Sequence, residues 1–163
     1  MIQIEVVTLE KIIIYLKIIN KLCYNQNSKG VYNMRGLGTF LSKRKNIVKD
    51  AINFGKNCPV EKVPLTDDIK SLENLDKLLV IVKDIKTTGF IDDNMINQLS
   101  TTLGVLLGEM IIKEHKCKWC MDSNKNPILD PSKISTIEVI KNILNDKSKE
   151  TLKEFYEKNK HQF

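Results

Sequence analysis

The sequence predicts an α+β fold that is mainly helical, with about five or six helices and one β-hairpin near residues 116–129. Three observations carry this expectation. Apolar residues recur at helical spacing through most of the chain. Between residues 116 and 122 the period changes to two: Cys117, Trp119 and Met121 alternate with Lys116, Lys118, Cys120 and Asp122. Clusters of Asn, Ser, Gly and Pro separate the periodic segments. At 163 residues the chain fits a single domain spanning 1–163. Its 42% hydrophobic and 28% charged content excludes a disordered, collagen-like or membrane-bundle class.

The first helix is expected from Thr8 as N-cap, with Leu9, Ile12, Ile13, Leu16, Ile19 and Cys23 on its buried side, ending in the Asn25–Gly30 loop. Residues 1–7 read as a short strand. Residues 31–41, with Gly36 and Gly38 flanking Leu37, do not declare a type. A second helix is expected from about Ser42, with Ile47, Val48, Ala51, Ile52 and Gly55 buried, closing at Lys56–Pro59. Thr66 reads as the cap of a third helix carrying Leu72, Leu75, Leu78, Leu79, Val82 and Ile85, with Gly89 after its end. Asp92 or Asp93 opens a fourth, whose face is Met95, Leu99, Leu103, Leu106 and Met110. Gly104 and Gly108 lie one turn apart in it; a mid-helix glycine costs about 1 kcal/mol, so close packing of another element is the expected reason. Pro127–Leu129 returns from the turn at 122–126, and helices at about 132–145 and 147–160 close the chain.

Charge is uneven. Residues 1–62 carry 11 basic and 4 acidic groups, whereas residues 63–163 carry 15 and 16. Of the 26 cations 24 are Lys, and Lys, Ile and Asn, all served by A/T-rich codons, exceed a third of the chain. An electrostatic partner should meet the first third. The apolar start is no signal peptide, since Glu5 and Glu10 precede its run and no small-residue cleavage site follows. Within the first twenty residues the longest uncharged apolar stretch, Ile12–Leu16, is far too short for a bilayer. The expected location is the cytoplasm, where the four cysteines remain thiols.

Cys117-Lys-Trp-Cys120, two residues after His115, has the spacing of a half zinc site or a redox dithiol. A second ligand pair is missing, because Cys23 and Cys58 stand alone, and cysteines three apart in a strand face opposite sides. A strand with incidental thiols is the preferred reading, with zinc and redox chemistry as alternatives. His115 falls where a helix ends and reads as a cap; His161 is three residues from the terminus. There is no nucleophile elbow, phosphate loop or HExxH pattern. Glu109, beside Gly108 on a mostly apolar helix, is the one acid singled out, and it is read as a partly exposed edge carboxylate rather than a catalytic one. The sequence thus gives no catalytic set, metal site or cofactor, and the chain is expected not to be an enzyme. The most informative cluster is basic: Lys43, Arg44, Lys45 and Lys49, extended by Lys56 and Arg35. In a helix's first turn, cations and free N–H groups would converge on an anion.

Leu103-Gly-Val-Leu-Leu-Gly-Glu109, then Trp119, Asp122, Pro127 and Leu129, then the Ile/Val-rich segment 134–144 form a pattern over about residues 90–145. It resembles a small bacterial domain of unknown function with an LGxxxGE helix, a Trp-bearing hairpin and a closing helix. In size and character the chain is similar to bacterial immunity proteins, which bind and block a cognate toxin domain. That resemblance implies a protein-binding module acting by steric occlusion, with Lys43, Arg44, Lys45 and Lys49 as partner contacts and no membrane. Immunity to nuclease toxins usually requires an acidic inhibitor, so a basic first third implies an acidic toxin domain, or contact through residues 63–163. The alternative is a non-specific nucleic-acid binder with Tyr32 or Phe40 stacking on bases. Two arginines in total disfavour base-specific reading. The further alternative is a zinc or thiol protein using Cys117 and Cys120.

Overall fold

A computed structural model of the chain describes residues 9–28 and 36–163. In chain order these form helices α1 (Leu9–Ser28), α2 (Leu37–Lys56), α3 (Leu72–Thr87) and α4 (Asp93–Glu114), strands β1 (Lys118–Met121) and β2 (Pro127–Asp130), then helices α5 (Thr136–Leu144) and α6 (Leu152–Asn159). Short 3₁₀ turns at Ile69–Ser71 and Lys160–Gln162 lead into α3 and follow α6. The mainly helical α+β architecture is the one the periodicity predicts. The expected strand at 1–7, the Thr8 cap, Tyr32 and Arg35 lie outside the described residues, as do the side chains of Leu9, Ile12 and Cys23.

α4 is the axis of the fold. Its sequence is uncharged from Asn94 to Gly108, and most of those residues are buried. It is the one described helix long and apolar enough to cross a membrane, but 78% of that apolar window is covered by the rest of the protein. Asp92 caps it by accepting from Met95 N at 2.8 Å. α5 packs across α4 at the two glycines. A Cβ on Gly104 would stand 2.5 Å from Ile137 Cα, and one on Gly108 would clash with the Trp119 ring. Thr136 Oγ1 donates to Gly104 O at 2.7 Å and fastens the crossing. The packing reading of these glycines therefore holds.

The hairpin pairs Trp119 with Leu129 and Cys120 with Ile128. Trp119 and Cys117 are buried, Lys118 is exposed and Cys120 is half-buried, as alternation requires. Asp122 organises the turn, accepting from Asn124 N and Asn126 N, each at 2.8 Å.

α3 buries all six predicted apolar residues, and α6 lies against it. Asp76 on α3 caps α6 across the chain, accepting from Leu152 N at 2.8 Å and Lys153 N at 3.3 Å. Thr151 and Glu154 add a capping box. Burial pushes the Asp76 carboxyl above its ordinary range, and the two N–H donors only partly offset it. A raised carboxyl binds its proton more readily in the folded than in the unfolded chain. Its contribution to stability is therefore present in acid and is lost as pH rises from the ordinary Asp value through the raised one. Asp76→Asn should remove this component. Urea midpoints across the acidic range should show wild type losing stability relative to the variant as pH rises, and a constant difference would contradict it.

Several boundaries differ from expectation. α1 continues to Ser28 through the predicted loop residues. It buries Tyr15 and Ile19 and leaves Ile13 exposed, so its inward face is rotated from the predicted one. Asp68, not Thr66, caps the turn before α3, accepting from Lys70 N at 2.9 Å. α5 starts at Thr136 rather than about 132, because Leu129 and Ile134 form a β-bridge and Lys133 takes a left-handed φ of 61°. Its cap is Ser135. α6 begins at Leu152 rather than about 147, behind Asp146 at φ 56°.

Candidate partner-binding site

α2 carries the predicted cluster, with one consequential correction. The helix starts at Leu37, not near Ser42, so Lys43, Arg44 and Lys45 lie in its second and third turns. Phe40 N already donates to Gly36 O at 3.1 Å, and the N–H groups at 43–45 lie beyond the turn whose N–H groups are free. Lysines and helix terminus do not converge on an anion there. The start escaped the sequence reading because Gly36 has no side chain to cap with and Gly38 follows at once.

The register then sorts the four residues. With 3.6 residues per turn, Phe40, Ile47, Ala51 and Phe54 fall on the buried side. Arg44 falls with them. Its Nε lies 3.4 Å from Glu109 Oε1 on α4, with both side chains largely covered. The same oxygen accepts from Trp119 Nε1 at 2.7 Å. Trp119 in turn meets Phe40 edge-on, ring centres 4.9 Å apart. Arg44, Glu109, Trp119 and Phe40 thus lock α2, α4 and β1 together. Arg44 is committed inside the fold, and Glu109 is an edge carboxylate with an indole to hold. Phe40 is fully buried and cannot stack on a base.

Lys43 is half-buried at the margin. Lys45 and Lys49, one turn apart, are exposed on the opposite side, and Lys56 follows on the same face. Among the described residues none of these three has an ion-pair partner. The adjacent helix α1 exposes Lys11, Lys17 and Lys21, with Glu10 its only exposed acid. Elsewhere several lysines are matched: Lys83 with Asp146, Lys113 with Asp67, Lys153 with Glu73, Lys158 with Glu150 and Lys160 with Glu157. Among the described residues the charge asymmetry of the sequence becomes a group of lysines without ion-pair partners, Lys45, Lys49 and Lys56 on α2 and Lys11, Lys17 and Lys21 on α1. The three α1 lysines carried a signal, spaced 6 and 4 apart on a helix, but the apolar residues between them drew the reading toward core.

Among the described cysteines, Cys58, Cys117 and Cys120 do not converge. Cys117 is buried, and burial pushes its thiol pKa up, which favours the unreactive form. Cys58 lies against Tyr15, whose hydroxyl is held well above its ordinary range by burial. His115 ends α4 as its C-cap residue; its Nε2 is 2.9 Å from Tyr156 Oη, and Phe163 packs on its ring. Among the described residues no three His, Cys, Asp or Glu side chains are grouped to hold a metal.

No protein family, curated protein or solved structure matches the chain.

Proposed function

We infer that this chain is a non-enzymatic, cytoplasmic protein-binding module that docks an acidic partner on the outer face of α2, acting as an immunity protein toward a cognate toxin domain. The carrying observation is that Lys45, Lys49 and Lys56 share one solvent-facing side of α2 and have no ion-pair partner among the described residues. Unpaired charge on a rigid helix has little to contribute to stability and much to contribute to association. It raises encounter rates and rejects like-charged surfaces. Of the four residues proposed as contacts, Lys45 and Lys49 are exposed, which supports their touching a partner directly. Lys43 borders the face, and Arg44 supports it from within by holding α2 to α4 through Glu109.

Co-expression tests this reading. The C-terminal domain encoded by the neighbouring gene should arrest growth of a host, and this protein should restore it. Lys45→Glu/Lys49→Glu should weaken binding about tenfold or more, as expected for two reversed rim charges, and impair rescue. Both substitutions are exposed and should leave the melting temperature within about 2 °C. A harmless neighbour, or killing that persists with the wild-type protein, would remove the immunity assignment.

A further inference from the structure

We propose that the outward face of α1 supplies the apolar centre of the docking surface, with Ile13 and Ile14 inserting into an acidic partner that presents apolar or aromatic side chains. This rests on the reading of α2 as the electrostatic face. Ile13 is 42% and Ile14 50% exposed, among the few large apolar side chains so open in the described structure. Neither lies at a frayed end. Tyr15, the next residue, is fully buried against Phe54 of α2, ring centres 5.2 Å apart, and Ile19 is buried one turn on. α1 is therefore fixed in rotation, and the two isoleucines are held outward by the packing of their neighbours.

Lysines surround them. Lys17 stands one turn from both, Lys21 one turn further, and Lys11 beside them, all exposed. An apolar centre within a charged rim is the anatomy of a protein interface. The positive rim selects an acidic partner, and the isoleucines select one with something apolar to receive them. A membrane surface fits less well. Interfacial helices present a broad apolar face, whereas among the described side chains this one exposes two adjacent isoleucines, with Glu10 and Asn20 on the same exposed side.

The probes are fluorescent poly-glutamate, a random glutamate–tyrosine copolymer of equal length, and vesicles of phosphatidylcholine with phosphatidylserine, each titrated at about 0.1 M salt. The wild-type protein should bind the copolymer about tenfold more tightly than poly-glutamate. Ile13→Ser/Ile14→Ser should abolish that preference and keep the poly-glutamate affinity. Ile14→Lys should also lose it while binding poly-glutamate at least as well. Lys45→Glu/Lys49→Glu should weaken both polymers. Unchanged helical circular dichroism confirms folding of each variant. A copolymer preference that survives both isoleucine variants would overturn the proposal. So would isoleucine-dependent binding to vesicles that exceeds binding to the copolymer. Absent poly-glutamate binding would instead count against the α2 face, with the isoleucine effect still read on the copolymer.

Discussion

Gly104→Ala should lower stability by about 3 kcal/mol, near the upper end of overpacking effects. The new methyl group would meet Ile137 Cα at 2.5 Å and Ile137 N at 2.8 Å. These are backbone atoms, so no rotamer change relieves the contact and α5 must move off α4. That movement would stretch the Thr136 Oγ1 bond to Gly104 O and open the most heavily buried seam of the protein. The gain in helix propensity, about 1 kcal/mol, is too small to offset it. For a domain of this size the melting temperature should fall by about 6–12 °C. Gly38→Ala is the internal control. Nothing lies within 4 Å of a Cβ there, and α2 should gain a few tenths of a kcal/mol. Thermal melts of the two variants check the account. Equal melting temperatures would mean that α4 and α5 do not cross as closely as described.

Trp119→Ala should cost about 4 kcal/mol. The indole covers Gly108, meets Phe40 edge-on and satisfies Glu109, so its removal leaves a cavity where α2, α4 and β1 join. Trp119→Phe separates the contributions. It retains most of the ring contact but removes the N–H, leaving Glu109 with Arg44 alone, and should cost about 1–2 kcal/mol. Urea unfolding followed by circular dichroism measures both. A Phe variant as unstable as the Ala variant would show that the hydrogen bond, not the bulk of the ring, carries the joint.

What the sequence made legible follows from how local each signal is. Asp92 caps α4 through a bond three residues away, so a short pattern suffices to find it. Gly104 and Gly108 are costly anywhere in a helix, so their presence announced a close neighbour even though the neighbour, Ile137 or Trp119, was not identifiable. The alternation at 117–121 is equally local. The start of α2 was hidden for the opposite reason. At Gly36-Leu-Gly-Thr-Phe no side chain caps the helix, and what holds those residues in it is Phe40 buried against Trp119, a contact spanning about half of the chain.

That five-residue difference changed the site. It moved the basic cluster out of the first turn, and the register carried Arg44 onto the buried side with Glu109. Lys45 and Lys49 stayed exposed under either boundary. α1 shows the same limit. Its nearly continuous apolar sequence fits several faces equally well, and only the burial of Tyr15 against Phe54 decides that Ile13 and Ile14 point outward. Asp76 capping α6 is a pairing across 76 residues, with no counterpart in any local pattern.

Stopped-flow association of this protein with the toxin domain proposed as its partner tests the central claim most directly, recorded from about 0.02 to 0.5 M salt. An electrostatic dock on α2 predicts a wild-type rate constant that falls at least about tenfold across that range, and a Lys45→Glu/Lys49→Glu variant that starts slower with a flatter dependence. Identical rates and identical salt dependence for the two proteins would contradict it and move the partner's contact away from this face.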